Sequence, residues 1–335
     1  MKIFRPSILQ GSLWLLMSAP LAWADAWSCL KKPDRWFRSE EGRETIERVL
    51  SWQAETGAWP KNEDTTRKIY EGNRRKLEGT FDNKATTGEL RLLARDWEIT
   101  ADEKSRDAFL KGFDHIIEAQ YPHGGWPQYY PPGKGYHRHV TFNDGTMVRL
   151  LELLRDSAEW DWLDHKRKNA AAKAVEKGID CILRCQIEID GRKTVWCAQH
   201  DAESLEPVLA RSYELPSLSG AESAGILRFL MTLPDPNKNI RDAIEAGVEW
   251  FEKSKIEGFR YERREGRIVA DDSAGPLWAR FYDIESGRPM FCDRDGVKVF
   301  DLAKVGKERR LGYAWYGDWG EEVEKDHRRW RSKVR

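Results

Sequence analysis

The feature that most constrains the fold of this chain is an internal repeat, in which an aromatic, proline-containing segment precedes a polar turn and a helix-forming stretch. Gly-Ala-Trp-Pro-Lys at 57–61 comes before Phe-Asp-Asn at 81–83. In the same way, Gly-Gly-Trp-Pro-Gln at 124–128 comes before Phe-Asn-Asp at 142–144. Each copy therefore places polar side chains immediately ahead of a helix.

A third copy begins at Trp196, where the segments follow in the same order although their residues differ. Trp59, Trp126 and Trp196 are 67 and 70 residues apart. A period of this length accommodates one helical hairpin, and such hairpins bury their apolar faces by stacking on their neighbours. The repeat thus predicts an array of three helical hairpins.

The hydrophobic pattern along the chain is mainly helical. Apolar residues recur at three- and four-residue spacing, which indicates amphipathic helices. The segments with this pattern are 45–54, 86–99, 105–120, 146–157, 168–186, 222–233 and 239–255. Two short alternating stretches, at 187–196 and 259–269, predict β-hairpins attached to the helical body. After residue 275 the chain is rich in Gly, Pro, Arg and aromatic residues, which predicts a long irregular segment.

The amino-terminal sequence predicts export. Lys2 and Arg5 precede an apolar run at 8–23 that ends in small residues, which is the pattern of a cleaved signal peptide. We therefore assign residues 1–24 to the signal peptide of a bacterial protein that is periplasmic or secreted. No later segment of the sequence approaches the roughly 20 apolar residues of a membrane span, so no membrane partner is expected.

Composition narrows the range of partners. Lys plus Arg and Asp plus Glu balance at 56 each, without a basic stripe, so no nucleic-acid partner is expected. Residues 321–335 are predicted to be a basic, solvated tail. The five cysteines allow at most two disulfide bonds. Most of the sixteen tryptophans should be core, but flat rings of this kind also bind sugar faces.

The polar turns have two possible roles. Asp82 or Asn83, Asp144 and Ser219 each stand just before a predicted helix, where they could cap its first turn. Alternatively, because every repeat presents its turn at the same end of the array, they could converge on a common cleft. Capping accounts for these residue types but not for the aromatic segment repeated ahead of them.

Seven segments resemble motifs of the pectate lyases of polysaccharide lyase family ten. They are Gly-Ala-Trp-Pro-Lys-Asn at 57–62, Phe-Asp-Asn-Lys-Ala-Thr-Thr at 81–87, Gly-Gly-Trp-Pro-Gln-Tyr-Tyr-Pro at 124–131, Thr-Phe-Asn-Asp at 141–144, Cys-Ala-Gln-His-Asp at 197–201, Ala-Arg-Ser-Tyr-Glu-Leu-Pro-Ser-Leu-Ser-Gly at 210–220 and Trp-Ala-Arg-Phe-Tyr at 278–282. The resemblance covers about residues 40–319. Several long motifs in the right order make it specific.

This resemblance implies both a fold and an activity. The implied fold is all-α, an incomplete (α/α)3 toroid of helical hairpins with a cleft across it, formed by residues 25–320 as a single catalytic domain. The implied activity is cleavage of polygalacturonate, the de-esterified form of pectin, by anti β-elimination to 4,5-unsaturated oligogalacturonates. A monomer is expected.

The chemistry of β-elimination explains why a metal would be needed. A base removes the proton next to a carboxylate that is already negative, so the transition state gathers charge that a hard dication stabilises. Calcium takes oxygen ligands from carboxylates and amides. The resemblance implies Asn83 and Asp144 as ligands of a catalytic Ca2+, with Asp82 beside them as a catalytic residue.

The resemblance also assigns roles to basic residues. Arg211 matches the general base of these lyases, although an arginine with a pKa above about 12 can act as a base only through a transient neutral form. It could instead stabilise charge, and both roles stay open. Arg280 and Arg294 match substrate-binding arginines, whose planar forks suit uronate carboxylates, and Lys61 is also assigned to substrate. Without the family, Arg211 followed by Tyr-Glu indicates an ion pair or a carboxylate anchor.

At three positions the residue differs from the one that is usual in the family. Lys84 follows Phe-Asp-Asn, Gly145 follows Thr-Phe-Asn-Asp, and Ala58 stands where a second Gly is common. None of these positions is an expected ligand of calcium. The departures therefore bear on fine substrate preference.

Two other functions are compatible with the residues. A uronide-active α/α-barrel glycoside hydrolase would use a pair of carboxylates, for which Asp82 and Asp144 are candidates. A non-catalytic glycan-binding protein would use tryptophans but would not need the three arginines. His200 is a possible auxiliary group, and the histidines lack the spacing of a zinc site.

Overall fold

The computed structural model describes residues 25–334, so the predicted signal peptide at residues 1–24 lies outside the described residues. The helices are α1 Ala26–Cys29, α2 Asp34–Phe37, α3 Glu40–Ser51, α4 Thr87–Thr100, α5 Glu103–Ala119, α6 Thr146–Ala158, α7 His165–Cys185, α8 Gly220–Leu230, α9 Lys238–Lys253, α10 Lys307–Gly312 and α11 Trp319–Val334. Among residues 25–334, no helix has the length and apolar character to cross a membrane.

The strands are short and pair two by two. They are β1 Val140–Thr141, β2 Glu188–Ile189, β3 Arg192–Lys193, β4 Gln199–His200, β5 Leu218–Ser219, β6 Phe259–Glu262, β7 Arg267–Ala270, β8 Trp278–Ala279, β9 Phe281–Tyr282, β10 Phe291–Cys292, β11 Lys298–Val299 and β12 Tyr316–Gly317. The antiparallel pairs are β1 with β4, β2 with β3, β5 with β9, β6 with β7, β8 with β12 and β10 with β11. The two predicted β-hairpins are β2–β3 and β6–β7.

The predicted helical hairpins are confirmed as α4–α5, α6–α7 and α8–α9. The second helix of each hairpin begins at a polar cap: Asp102 accepts a hydrogen bond from Lys104 N, Asp164 from Arg167 N, and Asn237 from Ile240 N. Such caps satisfy amide groups that have no partner within the helix. Consecutive hairpins stack, so that α4, α6 and α8 form one row and α5, α7 and α9 form the other.

The repeated tryptophans join each hairpin to the segment before the next one. Trp59, Trp126 and Trp196 are fully buried, and each indole N–H donates to a carbonyl in the last turns of a preceding helix, at 2.7, 2.9 and 2.7 Å. Trp278 makes the same bond, to Phe251 O of α9 at 2.8 Å. The structure therefore contains a fourth copy of this contact, which the sequence analysis did not identify.

The carboxyl-terminal residues differ from their predicted state. Residues 321–335 were expected to be a solvated tail, whereas residues through Val334 belong to α11, which packs on α8 and α9. Val323 and Trp330 of α11 are buried, and Asp326 accepts a hydrogen bond from Arg228 of α8 at 2.8 Å. The helix presents charged residues to solvent on its other face, which is why its composition resembles that of a tail.

All five cysteines are buried free thiols, so the expected limit of two disulfide bonds is not reached. The nearest pair of sulfur atoms belongs to Cys181 and Cys185, one turn apart on α7, with a separation of 4.0 Å. This distance is far longer than the roughly 2.05 Å of a disulfide bond. The fold is therefore held by packing rather than by covalent cross-links among the described residues.

Candidate active site

Two turns of almost identical geometry lie side by side at the start of α4 and of α6. We call residues 81–83 and 142–144 the paired turns. In each turn the second residue, Asp82 or Asn143, is buried, while the third, Asn83 or Asp144, is exposed. The third residue has a left-handed backbone, with φ of 51° at Asn83 and 50° at Asp144. Asn and Asp adopt this conformation more readily than other side-chain-bearing residues, and it projects both oxygen donors away from the core.

Helix capping does not explain the paired turns. Neither turn has a side-chain hydrogen bond that caps the following helix. The third repeat differs, because Ser219 caps α8 by accepting a hydrogen bond from Glu222 N at 3.4 Å. Of the two roles left open by the sequence, capping is therefore correct for Ser219 and wrong for Asp82, Asn83 and Asp144.

The first turn is held by the segment that follows Trp59. Lys61 Nζ lies 2.7 Å from Asp82 Oδ2 and 5.5 Å from the centre of the Tyr129 ring. Burial lowers the pKa of Lys61, but its hydrogen bond and ion pair with Asp82 outweigh burial and raise the pKa overall. Asn83 Nδ2 donates to Asn62 Oδ1 at 3.1 Å. Lys61 therefore stays positive next to the turn.

The second turn is held by a buried ion-pair network. Arg280 Nη2 donates to Asp144 Oδ1 at 3.1 Å and to Glu222 Oε1, and Asp144 N donates to the same Glu222 oxygen at 3.4 Å. Ser219 Oγ donates to the other oxygen of Glu222. Glu222 and Arg280 are only 4% and 8% exposed, so their charges depend on each other for stabilisation. The network fixes the position of the Asp144 carboxylate.

Arg211 is paired with Glu214, as the sequence indicated. Its Nε donates to Glu214 Oε2 at 2.7 Å, and its Nη2 donates to Glu214 Oε1. Tyr313 Oη donates to Glu214 Oε1 at 2.8 Å. Burial lowers the pKa of Arg211, but the bonds to Glu214 outweigh burial and raise the pKa. Arg211 is therefore a fixed, protonated guanidinium, and its Nη1 is the nitrogen that Glu214 does not engage.

A group of arginines surrounds the ring of Tyr213. The guanidinium carbons of Arg211, Arg294 and Arg309 lie 4.9, 5.6 and 4.4 Å from the ring centre. Arg294 also forms a two-bond fork with Glu308, at 3.1 Å for each bond, on the protein surface. Tyr213 thus brings Arg211 and Arg294, which are distant in sequence, to the same aromatic contact.

The predicted site residues form one connected region. Arg280 contacts Asp144 directly and lies 4.9 Å from the ring of Tyr313, which meets the ring of Tyr213 at 5.7 Å. Burial raises the pKa of Tyr136, and the positive charges of Arg211 and Lys61 partly offset this rise, so the phenol lies near both cations. The structure therefore places the paired turns, Lys61 and the arginines around a shared face.

Several site residues were missed from the sequence. Glu222 stands three residues after Ser219, and this spacing is the capping-box pattern, which suggests a helix start rather than an active site. Tyr313 lies in the irregular segment, where no periodicity points to it. His200, considered as an auxiliary group, is fully buried and accepts a hydrogen bond from Cys197 N at 3.1 Å. It supports the β4 segment rather than the candidate site.

The oxygen donors fit calcium only if other molecules complete the coordination. Calcium takes six to eight oxygen ligands, as a rule. Within residues 25–334, no cluster of three or more His, Cys, Asp or Glu side chains could hold a metal. The exposed Asn83 amide and Asp144 carboxylate project from adjacent turns as hard oxygen donors. This donor set fits an ion that the protein shares with a bound anion and water.

Comparisons with known proteins agree on one family. A family profile described as pectic acid lyase matches residues 53–324. A family 10 polysaccharide lyase from Cellvibrio cellulosa is 37% identical, with a TM-score of 0.82, and the match covers 88% of this chain and 94% of the other. An aspartate-to-alanine variant of a family 10 lyase from the same organism, in complex with trigalacturonic acid, is also 37% identical, with a TM-score of 0.81 and coverage of 89% and 97%. The search of curated proteins found no match.

Proposed function

This chain belongs to the pectic acid lyase family and is a polysaccharide lyase, and from that premise we propose that it cleaves polygalacturonate by calcium-assisted β-elimination. The related variant that binds trigalacturonic acid supports galacturonate as the sugar. The match to family 10 lyases confirms the expected family and its α/α toroid. The metal, the residue roles and the cellular location are parts of the proposal.

The observation that carries the proposed mechanism is the pairing of the two turns. Asn83 and Asp144 project from equivalent left-handed positions of adjacent repeats, next to two fixed cations, Lys61 and Arg280. A bound Ca2+ would neutralise the uronate carboxylate and so make the neighbouring C–H bond more acidic. Asn83 and Asp144 would hold this ion, and Arg280 would keep the Asp144 carboxylate in place.

The remaining residues bind and orient the substrate in this proposal. Lys61 and Arg294 would attract the carboxylates of the polymer, and Asp82 would keep Lys61 pointing at the first turn. Arg211 is assigned to the carbon that loses its proton. Because Glu214 holds Arg211 in its protonated form, the geometry favours a role in stabilising negative charge that develops in the transition state.

A calcium assay tests the proposed function directly. Purified protein should release product from polygalacturonate that absorbs ultraviolet light, because β-elimination leaves a conjugated double bond. A chelator should stop the increase in absorbance, and added Ca2+ should restore it. Release of reducing sugar without absorbance would instead identify a hydrolase, and chelator-resistant elimination would contradict the role of calcium.

We also propose that the protein is exported. Support comes from the basic residues Lys2 and Arg5 and the apolar run at 8–23, and from a substrate that is a large extracellular polymer. Protein recovered from the periplasm or the medium of the native host should begin at or near Asp25. An intact Met1 on protein from the cytoplasm would refute the proposal.

A further inference from the structure

A cavity of about 380 Å³ lies next to the paired turns. It is lined by Asp25, Trp27, Ser28, Lys31, Lys84 and Arg149, and we call it the basic cavity. Lys84 directly follows the first turn. A Cβ atom at Gly145, which directly follows the second turn, would lie 3.0 Å from Arg149 Nη1. The basic cavity therefore adjoins the first turn through Lys84 and the second through Arg149, whose guanidinium lies beside Gly145.

Arg149 is an unusual feature of this cavity. It is half-buried on α6, and its Nε and Nη2 atoms are shielded from solvent without a hydrogen-bond partner among the described residues. Burying such a group without partners is unfavourable. Arg280, by contrast, has two carboxylate partners, Glu222 and Asp144, although its Nε also lacks a hydrogen-bond partner among the described residues. The carboxylates of Asp144, Asp82 and Glu152 attract the Arg149 guanidinium electrostatically, and an anion in the basic cavity would add a hydrogen-bonded partner.

The other walls of the cavity favour a sugar acid. Lys31 and Lys84 add positive charge, and Asp25 is the acidic lining residue, but its carboxylate already accepts hydrogen bonds from Ser28 N and Oγ at 2.8 Å each. Trp27 is partly exposed, and its indole N–H donates to Lys84 O at 3.4 Å. The cavity therefore combines a fixed aromatic ring with an excess of cations.

At two positions around the basic cavity, Lys84 and Gly145, the residue differs from the one that is usual in the family. Lys84 provides one of the cations. Gly145 has a left-handed backbone with φ of 71°, which favours glycine, and a Cβ atom there would lie close to Arg149 Nη1.

We propose that the basic cavity is a subsite for a galacturonate unit outside the bond that is cleaved, with Arg149 and Lys84 binding its carboxylate and Trp27 stacking on its ring. A guanidinium fork suits a carboxylate, and an indole face suits the apolar face of a sugar. The identity of the ligand rests on the proposed function. A free inorganic anion has similar charge, so the test must separate the two.

The test measures how affinity depends on chain length. Oligogalacturonates of increasing length are titrated calorimetrically, with Ca2+ present, into an Arg211→Lys background, and ultraviolet absorbance is followed to verify that they stay intact. Affinity should rise at the length at which the oligomer first reaches the cavity. Arg149→Met and Trp27→Ala should each remove that rise, which amounts to about tenfold or more in Kd. An unchanged length profile would overturn the subsite.

Arg184→Gln is the matched control, because it removes the same charge from an exposed position on α7, and its length profile should equal that of the background. Inorganic phosphate is the second probe. If phosphate binds at millimolar concentration through Arg149 while the oligomer profile does not depend on Arg149, the cavity is an anion site and not a sugar subsite.

Folding and activity are checked separately. Arg149→Met removes a partly buried cation that nearby carboxylates attract but whose Nε and Nη2 have no hydrogen-bond partner among the described residues, so its Tm should stay close to that of the background. If it does fall, Lys84→Gln at the exposed edge of the cavity replaces it, and the same loss of the length-dependent rise is expected. Absence of lyase activity in the otherwise unmodified protein would refute the proposed function, whereas the binding profile alone decides the subsite.

Discussion

At the scale of single residues, Arg211 is where the structure constrains chemistry most. The Glu214 carboxylate and the Tyr213 ring hold its guanidinium in one orientation. Lysine keeps the charge but loses the planar fork and is shorter. We expect Arg211→Lys to lower kcat by roughly 10²–10³-fold or more, as for loss of a group that stabilises transition-state charge, with a much smaller change in KM.

Steady-state kinetics on polygalacturonate distinguish the roles of Arg211. A large fall in kcat with KM nearly unchanged marks an interaction made mainly in the transition state. A large rise in KM with kcat preserved would show that Arg211 is an anchor for substrate, and the proton would then have to be taken by another group. Glu308→Gln is a useful control, because it removes a surface partner of Arg294 and leaves the Arg211 pair intact.

Asp144 provides the second prediction at this scale. Because its side chain does not cap α6, Asp144→Ala should abolish turnover while the helical circular dichroism signal stays close to that of the unmodified protein. Any fall in Tm would reflect Ala in a left-handed backbone and the lost bond to Arg280, not a lost cap. Loss of a true N-cap would instead cost about 0.5–2 kcal/mol. Ser219→Ala is the contrasting variant, since Ser219 does cap a helix, and it should lower Tm. Retained activity in Asp144→Ala would remove it from the proposed calcium site.

At the scale of elements, the sequence predicted most of the helical array for a clear physical reason. The rows of the array are amphipathic helices of 11 to 21 residues, long enough for their apolar periodicity to show. α11 was missed because Val323 and Trp330 are its main buried side chains and charged residues dominate the rest. Trp278 was missed because it lies 82 residues after Trp196, which is longer than the other two intervals, and because an irregular segment rather than a predicted helix follows it.

The repeat is more regular in space than in sequence. Gln53, Gln120 and Gln186 occupy equivalent places, and each side-chain amide donates to two backbone carbonyls, one in its own loop and one in a neighbouring helix. Each glutamine therefore joins one hairpin to the next segment. Hydrophobic periodicity does not reveal such a residue, because its role depends only on where the fold places the two acceptor carbonyl groups.

These glutamines carry the third prediction. Gln120 Nε2 donates to Gly124 O at 3.0 Å and to Ala174 O at 2.8 Å. Gln120→Met keeps the length of the side chain but leaves both carbonyls without this donor, so the free energy of unfolding should fall by about 1–3 kcal/mol. Denaturant unfolding measures the change. A difference below about 0.5 kcal/mol, the usual range for surface substitutions, would show that water replaces the glutamine.

At the scale of the whole molecule, the candidate site is assembled from parts that no local pattern connects. Lys61 and Asp144 belong to motifs that stand ahead of helices, and physical reasoning could place them at one end of the array. Arg280 and Arg294 come from the irregular segment, so only resemblance to a family could assign them. Glu222 becomes recognisable as a site residue only when the fold brings it to Arg280.

The fourth prediction concerns how the stability of the whole molecule depends on pH. Burial raises the pKa of Glu89 on α4 to about 7 from its ordinary 4.5, so the folded state favours the protonated form. The stability that this provides is complete below pH 4.5 and is lost as pH rises through 7. As pH rises from 5 to 8, the free energy of unfolding should therefore fall less in Glu89→Gln than in the unmodified protein, by on the order of 3 kcal/mol. Denaturant unfolding at several pH values measures this difference.

Buried histidines limit stability on the acid side. Burial lowers the pKa of His200 to about 4 and that of His115 to about 4, from an ordinary value of 6.5. Each histidine is neutral in the folded state and binds a proton more readily when unfolded, so stability present above pH 6.5 is lost as pH falls through 4. His200→Gln should flatten this decline by on the order of 3 kcal/mol, whatever its effect on stability at neutral pH. An equal acid slope in His200→Gln would mean that carboxylates, not buried imidazoles, set the acid limit of this fold.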